Sequence, residues 1–209
     1  MAARIFIARH GQTVTNREGR FCGHSETDLT PLGIEQARAL RRRFDGIEIH
    51  AAYTSDYSRA IETARFILDQ RAITPVIDPA LREIHYGEWE LRKERAVRRL
   101  YPEAYRLMRE RDPDWQPPGG ETLEAVRART FGALQRIIRR HRGRNVLVVT
   151  HGTAINCMLS LVLGAPLTHV FSFDVTNCAL SEVAVRRGRP VVTLLNDRSH
   201  LAGIESSAE

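Results

Sequence analysis

Arg4-Ile-Phe-Ile-Ala-Arg9-His10-Gly11 and Asn145-Val-Leu-Val-Val-Thr150-His151-Gly152 share one form, an apolar run that ends in a His-Gly pair. A continuous Val, Ile and Leu run bounded by Gly is typical of a strand in a parallel sheet that is buried on both faces. Sheets of this kind bind ligands at their carboxyl edge. The sequence therefore predicts that His10 and His151 lie at that edge, and that they meet there if the two strands are neighbours.

The rest of the pattern predicts an α/β fold, a three-layer α/β/α sandwich with a mostly parallel central sheet. Two more short strands are predicted at 51–54 and 75–78, and a final pair at 180–185 and 191–195 is expected to form an antiparallel edge. Helical periodicity separates these strands, and it predicts helices at about 31–44, 57–69, 122–142 and 154–163.

Length and composition predict a single domain over residues 1–209. The 209 residues are 43% hydrophobic, which is enough for one well-buried core. From Arg92 to Arg111 the sequence is highly charged with a helical period, and it runs into Pro117-Pro118-Gly119-Gly120. We expect this insertion, at about 90–120, to form a helical cap over the sheet.

Charge and cysteine usage narrow the classes of partner. The net charge is +6, Lys93 is the only lysine, and arginines interleaved with acids are typical of solvated helix surfaces. No aromatic-basic stacking motif accompanies them, so no nucleic-acid partner is expected.

Cys22, Cys157 and Cys178 are too widely spaced for a zinc site or a disulfide framework. No apolar run approaches about 18 residues and no signal segment precedes the first strand, so we expect a cytoplasmic protein without a membrane partner.

Residues at the predicted edge suit phosphoryl transfer without a metal, which needs a nucleophile, cations around the phosphoryl oxygens and an acid for the departing oxygen. His10 is the candidate nucleophile, because neutral imidazole attacks phosphorus without a separate base. Arg9, Arg59 at the start of a helix, and His151 would surround the phosphoryl group. Glu83 would donate a proton to the leaving group and later take one from water.

Three further residues could complete such a site. Asn16 could add a neutral donor, and Gly11 and Gly152 would let the backbone approach an anion closely. Each of these residues, taken alone, is more often structural than functional. The prediction therefore rests on the joint pattern of two strand-His-Gly units, an adjacent arginine, a helix-start arginine and an acid.

These residues belong to an ordered set of motifs that resembles the histidine phosphatase superfamily, which includes cofactor-dependent phosphoglycerate mutase. The set spans nearly the whole chain and consists of Arg9-His10-Gly11 with Thr13 and Asn16, Gly23, Asp28-Leu29-Thr30, Gly33, Gln36-Ala37, Ser55-Asp56-x-x-Arg59-Ala-x-x-Thr63-Ala64, Leu81-Arg82-Glu83-Ile84-x-Tyr86-Gly87-x-Trp89-Glu90, Gly119-Gly120-Glu121-Thr122 and Val149-Thr150-His151-Gly152. The resemblance implies a phosphohistidine on His10, Glu83 as the proton donor, and neither a metal nor a cofactor. It also implies a phosphate pocket of Arg9, Asn16, Arg59 and His151.

Within that family the phosphoryl acceptor is water or a second hydroxyl. Gly87-x-Trp89-Glu90 and Asn196-Asp197-x-x-His200-Leu201 resemble the bacterial small-metabolite phosphatase branch, and the segments that clamp substrate in glycolytic mutases are lacking. The predicted function is a metal-independent phosphomonoesterase for small phosphorylated metabolites, with a cofactor-dependent phosphoglycerate mutase as the alternative. A metal hydrolase and a non-catalytic phospholigand-binding protein are further alternatives. Leu91 stands where many of these phosphatases have Gly, so the sequence does not fix the substrate.

The substrate side of the pocket is expected to include Cys22, Gly23 and Tyr86. Four other aromatic residues could line the substrate or pack the cap against the sheet: Phe21, Trp89, Tyr101 and Tyr105. Dimers are common among related enzymes, so the resemblance leaves a homodimer open.

Overall fold

The structure, a computed structural model, describes residues 3–204, and within them one sheet of six strands forms the centre of the molecule. The strands are β1 (Arg4–Arg9), β2 (Ala51–Thr54), β3 (Val76–Ile77), β4 (Asn145–Thr150), β5 (Leu180–Arg186) and β6 (Arg189–Asp197). Their order across the sheet is β3-β2-β4-β1-β5-β6. Strands β3, β2, β4 and β1 run parallel to one another, whereas β5 is antiparallel to both of its neighbours. The prediction of a mostly parallel sheet with an antiparallel edge is confirmed.

Strands β1 and β4 are direct neighbours in the sheet. Their register pairs Arg4 with Asn145 and Arg9 with Thr150. Because the two strands are parallel and in step, His10 and His151 leave the sheet side by side at its carboxyl edge. The two strand-His-Gly units therefore meet as the sequence predicted.

Helices cover both faces of this sheet. They are α1 (Val14–Arg17), α2 (Pro31–Arg42), α3 (Ser58–Ile67), α4 (Glu94–Leu100), α5 (Pro102–Glu110), α6 (Leu123–Arg140) and α7 (Gly152–Val162). Successive side chains of a strand point to opposite faces, so Phe6 packs with α2 and α3, while Ile5 and Ile7 pack with α6 and α7. This arrangement is the expected three-layer sandwich. Within the described range, no helix combines the length and the hydropathy needed to cross a bilayer.

The cap segment, residues 90–120, differs in detail from a single charged helix. It contains two short helices, α4 and α5, because Pro102 cannot continue α4 but fits the first position of α5. A separate apolar cluster joins this segment to the rest of the molecule, and it includes Trp89, Val97 and Trp115. The cap is therefore held by its own small core beside the sheet.

Two predicted helix starts are shifted in the structure. Helix α3 begins at Ser58, and no side chain caps its N-terminus. Asp56, which precedes the N-cap position of Tyr57, binds Arg82 through two hydrogen bonds of 2.8 and 2.5 Å. Helix α7 begins at Gly152 rather than near Ala154, so His151 lies directly at its N-terminus. Differences of one or two residues are usual at helix ends.

Gly11 is required by the packing of α2 against the end of β1, because a Cβ atom there would overlap the backbone carbonyl of Gly33. We expect Gly11→Ala to lower the free energy of unfolding by about 1–3 kcal/mol, the usual cost of overpacking. Urea unfolding measures this change. Gly132→Ala in α6 is the control, since its new Cβ would lie 3.6 Å from the flexible end of Arg136 and should stabilise the helix by about 0.5–1 kcal/mol. Equal stability of Gly11→Ala and the wild type would show that α2 does not constrain this glycine.

Candidate active site

The two histidines at the carboxyl edge lie in contact and are almost completely buried. The centroids of the His10 and His151 rings are 5.1 Å apart, and the rings meet edge to face at 61°. His10 is 4% exposed and His151 is 0% exposed. Both imidazoles therefore sit in surroundings where a positive charge on the ring is poorly solvated.

The hydrogen bonds of His10 determine which nitrogen is free. Its Nδ1 lies 2.8 Å from the carbonyl oxygen of Gly11, and a carbonyl can only accept, so Nδ1 must donate. In the neutral ring the proton is then on Nδ1, and Nε2 has the lone pair. Burial, followed by the charges of Arg59 and Arg9, holds the pKa of His10 well below its usual value. At neutral pH the ring is uncharged and Nε2 is ready to act as a nucleophile.

His151 has partners on both ring nitrogens. The Nε–H group of Arg59 donates to Nδ1 at 3.3 Å, so Nε2 carries the proton of the neutral ring and donates to the Ser55 hydroxyl at 2.7 Å. Burial and the charge of Arg59 lower the pKa of His151 well below its usual value. Ser55 thus fixes the orientation of this imidazole.

Arg59 is a buried cation whose partners in the described chain are carbonyl groups and rings rather than acids. It is 1% exposed, and its Nη1 and Nη2 atoms donate to the carbonyls of Ser25 and Gly23 at 2.8 and 2.7 Å. Its guanidinium group also lies over the ring of Tyr57, 4.7 Å from the ring centroid. Gly23 has a φ of 53°, and a Cβ there would overlap the Glu90 carboxylate. The role of Gly23 that the structure shows is to bring its carbonyl oxygen close to Nη2 of Arg59.

Arg9 is the second cation of the site. Its Nη1 donates to the carbonyl of Val175 at 2.6 Å, while its Nε is buried and has no hydrogen-bond acceptor among residues 3–204. Gly152 lies beside this guanidinium group, where a Cβ would be 3.6 Å from its carbon. Burial lowers the pKa of Arg9 from its usual value. Within the described chain, neither Arg9 nor Arg59 forms an ion pair with a carboxylate, so the site has unbalanced positive charge that an anion would neutralise.

Glu83 lies at the same edge, as predicted, and binds the N-terminus of α7. Its Oε2 accepts from the backbone N–H of Thr153 and its Oε1 from that of Ala154, each at 3.1 Å. Oε1 also accepts from the N–H of Ile84 at 2.9 Å. The first turn of α7 thus connects the carboxylate of Glu83 to the helix that begins directly after His151, and the charge of Glu83 also acts on Arg9.

Sequence reasoning missed the residue that holds the Glu83 segment in place. Arg129 of α6 donates to the backbone carbonyls of Ala80, Arg82 and Glu83 at 3.1, 2.6 and 2.8 Å. It also binds both carboxylate oxygens of Glu121 at 2.9 and 2.8 Å. The sequence did contain a signal for this pair. Arg129 lies about two helical turns after Glu121 of the Gly119-Gly120-Glu121-Thr122 motif, a spacing that keeps two side chains on the same side of a helix.

Asn16 lies beside the candidate nucleophile through a shared partner, which the sequence did not single out. The amide of Asn177 donates to the backbone carbonyl of His10 at 3.0 Å and to Oδ1 of Asn16 at 3.1 Å. Oδ1 of Asn16 also accepts from the backbone N–H of Thr13 at 3.2 Å. Because both bonds use the oxygen, the NH₂ end of Asn16 is the group that could donate to a bound anion.

The other predicted substrate residues differ in how directly they reach the site. The N–H of Gly11 donates to the Thr63 hydroxyl at 3.0 Å, so it is engaged within the protein. The thiol of Cys22 donates to the carbonyl of Ser25 at 3.3 Å, and burial raises its pKa, so it stays uncharged. The hydroxyl of Tyr86 lies 3.4 Å from that of Thr153. Burial and the nearby Glu83 carboxylate raise the pKa of Tyr86.

The remaining aromatic residues belong to the packing of the cap. Phe21 contacts both Tyr86 and Trp89, with ring centroids 5.1 and 5.2 Å apart. Trp89 is fully buried. Tyr101 donates its hydroxyl proton to Glu88 at 2.8 Å, and Tyr105 donates to Glu94. Of the two interpretations left open by the sequence, the structure places these four residues in the packing role.

Comparisons with known proteins identify the family of this chain. The family model of the histidine phosphatase superfamily (branch 1) matches residues 5–198. The chain is 30% identical over 207 residues to the adenosylcobalamin/alpha-ribazole phosphatase of Escherichia coli K12, which covers 98% of this chain and 100% of that protein. It is 32% identical over 183 residues to a probable phosphoglycerate mutase, GpmB, of Yersinia pestis, covering 86% of this chain and 84% of that protein. The solved structure of YhfR from Bacillus stearothermophilus superposes with a TM-score of 0.92 at 33% identity, covering 96% of this chain and 100% of that one.

The fold and these relatives define the class of the protein as a phosphoric monoester hydrolase of the histidine phosphatase type. The chain belongs to the histidine phosphatase superfamily, as its ordered motifs predicted.

The neutral state of His10 predicts a dependence of stability on pH. In the unfolded chain His10 takes up a proton below about pH 6.5, whereas in the folded protein burial and the two arginines keep it uncharged. Stability is therefore present above the unfolded pKa and falls as the pH falls below it, by up to about 1.4 kcal/mol per pH unit for this residue. In urea unfolding without phosphate, His10→Gln should show a correspondingly shallower loss between pH 6.5 and 5. Parallel pH profiles of the two proteins would contradict a neutral, buried His10.

Proposed function

We propose that this protein is a metal-independent phosphomonoesterase that acts on small phosphorylated metabolites through a phosphohistidine intermediate on Nε2 of His10. One observation supports the proposal above all others. The buried guanidinium group of Arg59 and the partly buried one of Arg9 form no ion pair with a carboxylate within residues 3–204, and they lie beside an imidazole nitrogen that has a lone pair. A phosphate monoester supplies both the negative charge that the cations lack and the electrophile that the nitrogen can attack.

In the first step, Nε2 of His10 attacks the phosphorus atom and forms an N–P bond. The bond from phosphorus to the oxygen of the leaving group breaks, and that oxygen takes a proton from the carboxyl group of Glu83. Arg9 and Arg59 bind the equatorial phosphoryl oxygens, where the charge of the transition state is spread. His151, fixed by Ser55 and Arg59, faces the same oxygens from the neighbouring strand.

In the second step, water replaces the leaving group and attacks the phosphohistidine. Its proton passes to the carboxylate of Glu83, the N–P bond breaks, and inorganic phosphate leaves. Glu83 is then protonated and His10 is again neutral, so the cycle is complete without a further reagent. The same carboxyl group serves both steps because leaving group and water occupy the same side of the phosphorus atom.

Two parts of the proposal, the release of phosphate and the independence from metal, have support of their own. Phosphate release fits the E. coli relative, whose name describes a phosphatase, whereas transfer to a second hydroxyl is the alternative suggested by the GpmB relative. Independence from metal is supported by the two guanidinium groups, which already supply the positive charge that a metal ion would bring and would repel a metal ion beside them.

Release of phosphate from a panel of phosphomonoesters in EDTA tests the proposal, with His10→Ala measured in parallel. We expect the wild type to hydrolyse at least one ester without added metal, and the variant to lose at least about 10³-fold in kcat. Loss of wild-type activity in EDTA that a divalent ion restores would contradict metal independence. Equilibration of phosphoglycerate isomers by the wild type without net phosphate release would instead establish the mutase.

Arg129 should act on this reaction by positioning Glu83, which gives a second prediction. Arg129→Gln frees the Glu83 segment from α6. It should slow the hydrolysis of esters whose leaving oxygen needs a proton more than that of esters whose leaving group needs none. We expect kcat/KM for glycerol 2-phosphate to fall at least about tenfold more than that for 4-nitrophenyl phosphate, within the range that general acids contribute. Arg136→Gln on the same helix, which removes the ion pair with Asp78 but leaves the bonds of Arg129 to the Glu83 segment in place, is the control. Equal losses with the two esters would mean that Arg129 supports the fold rather than the acid.

A further inference from the structure

A cavity of about 290 Å³ lies between the cap and the active-site loops. Its walls are mainly aromatic and apolar, since Tyr86, Met108, Trp115 and Phe171 line it. Trp115 is 1% exposed, and its indole N–H has no acceptor among residues 3–204. A flat or apolar group that also offers a hydrogen-bond acceptor would suit these walls.

Tyr86 connects this cavity to the proposed acid. Its ring lines the cavity, and its hydroxyl lies 3.4 Å from that of Thr153, whose backbone N–H binds Glu83. On the other side, Phe171 stands in the chain segment that continues to Val175, the residue whose carbonyl binds Arg9. The proton from Glu83 goes to the leaving oxygen, so the leaving group itself must extend past the acid. Tyr86 therefore lies between the acid and the cavity.

Two arginines without acidic partners also line this cavity. Arg109 and Arg111 are exposed, and their guanidinium groups form no ion pair within the described residues. The three glutamates of α4 and α5 are already engaged, because Glu103 and Glu110 both bind Arg106 while Glu94 accepts from Tyr105. Asp112, which follows Arg111, accepts from the backbone N–H of Asp114. The two guanidinium groups are thus free to meet a negative charge at the solvent side of the cavity.

Positive charge is concentrated in one part of the cap. Residues 92–111 include eight arginine or lysine residues and three glutamates. Glu90, Asp112 and Asp114 flank this stretch, so residues 90–120 as a whole have a net charge of +2. A positive surface beside the site raises the local concentration of substrates that have more than one negative group.

We propose that this cavity receives the leaving group of the substrate, and that Arg109 and Arg111 select leaving groups with an apolar or aromatic body and a second anionic group. The inference rests on the proposed function and adds the substrate class. Recognition of the leaving group involves no covalent step. Its apolar or aromatic body packs against Trp115 and Phe171, and its anionic group lies between the two arginines.

Phenyl phosphate and 3-carboxyphenyl phosphate test this selection, because their phenols are of similar acidity and differ mainly in the added carboxylate. The wild type should prefer the carboxylated ester in kcat/KM. In Arg109→Gln/Arg111→Asn this preference should fall by about two- to thirtyfold, as expected for two exposed ion contacts, and high ionic strength should reduce it in the wild type. Asn is chosen because Arg111 has a φ of 59°, which Asn tolerates. Phe171→Ala should raise KM for both esters.

Arg142→Gln, in the turn that follows α6 at the opposite edge of the sheet, is the matched control and should leave both esters unchanged. Wild-type hydrolysis of phenyl phosphate without a preference for the carboxylate would overturn this inference and leave the proposed function standing. An equal loss in Arg142→Gln and in the double variant would also overturn it, because the effect would then come from net charge. If the wild type hydrolysed neither ester nor any other member of the panel, the proposed function would fail, and this inference with it.

Discussion

This site depends on two guanidinium groups, that of Arg59 buried and that of Arg9 partly buried, which form no ion pair with a carboxylate within residues 3–204. Removing a charge from water costs several kcal/mol even after the surroundings relax, and the protein lessens this cost with backbone carbonyls rather than carboxylates. Val175 binds Arg9, while Gly23 and Ser25 bind Arg59. The carbonyl groups hold the two guanidinium groups in place but, because they are uncharged, do not cancel their positive charge. That charge, together with burial, keeps the pKa values of both imidazoles low. The same arrangement therefore gives a neutral nucleophile and a site that attracts an anion.

The sequence predicts the part of this site that depends on strand order. An apolar run ending in His-Gly occurs twice, and parallel strands end at a common edge, so the meeting of His10 and His151 follows once β1 and β4 are neighbours. The family motifs extended this prediction to Arg59 and Glu83, which the structure brings to the same edge. Backbone packing is not visible in sequence, so the structure adds constraints at residues that the sequence singled out for other reasons. The close approach of Gly33 to Gly11 is one of them.

Residues that act through another residue could not be predicted in the same way. Arg129 and Arg136 both lie on α6, yet one holds the Glu83 segment and the other binds a surface aspartate. Only the docking of α6 against residues 79–83 separates them. The cap poses a similar problem, because its many arginines look alike in sequence until the pairing of Arg106 with both acids of α5 leaves Arg109 and Arg111 unpaired. Side-chain pairing of this kind depends on tertiary geometry rather than on local pattern.

Isolation of the phosphoenzyme tests the central claim most directly. Glu83→Gln mixed with 4-nitrophenyl phosphate should complete the first step, since this leaving group needs no proton, and should stall at the second, where water must lose one. After an alkaline quench, which preserves phosphohistidine, peptide mass spectrometry should find one phosphoryl group on His10 and none in His10→Ala. Release of 4-nitrophenol by Glu83→Gln without a phosphoryl group on His10, or with one on another residue, would contradict the account.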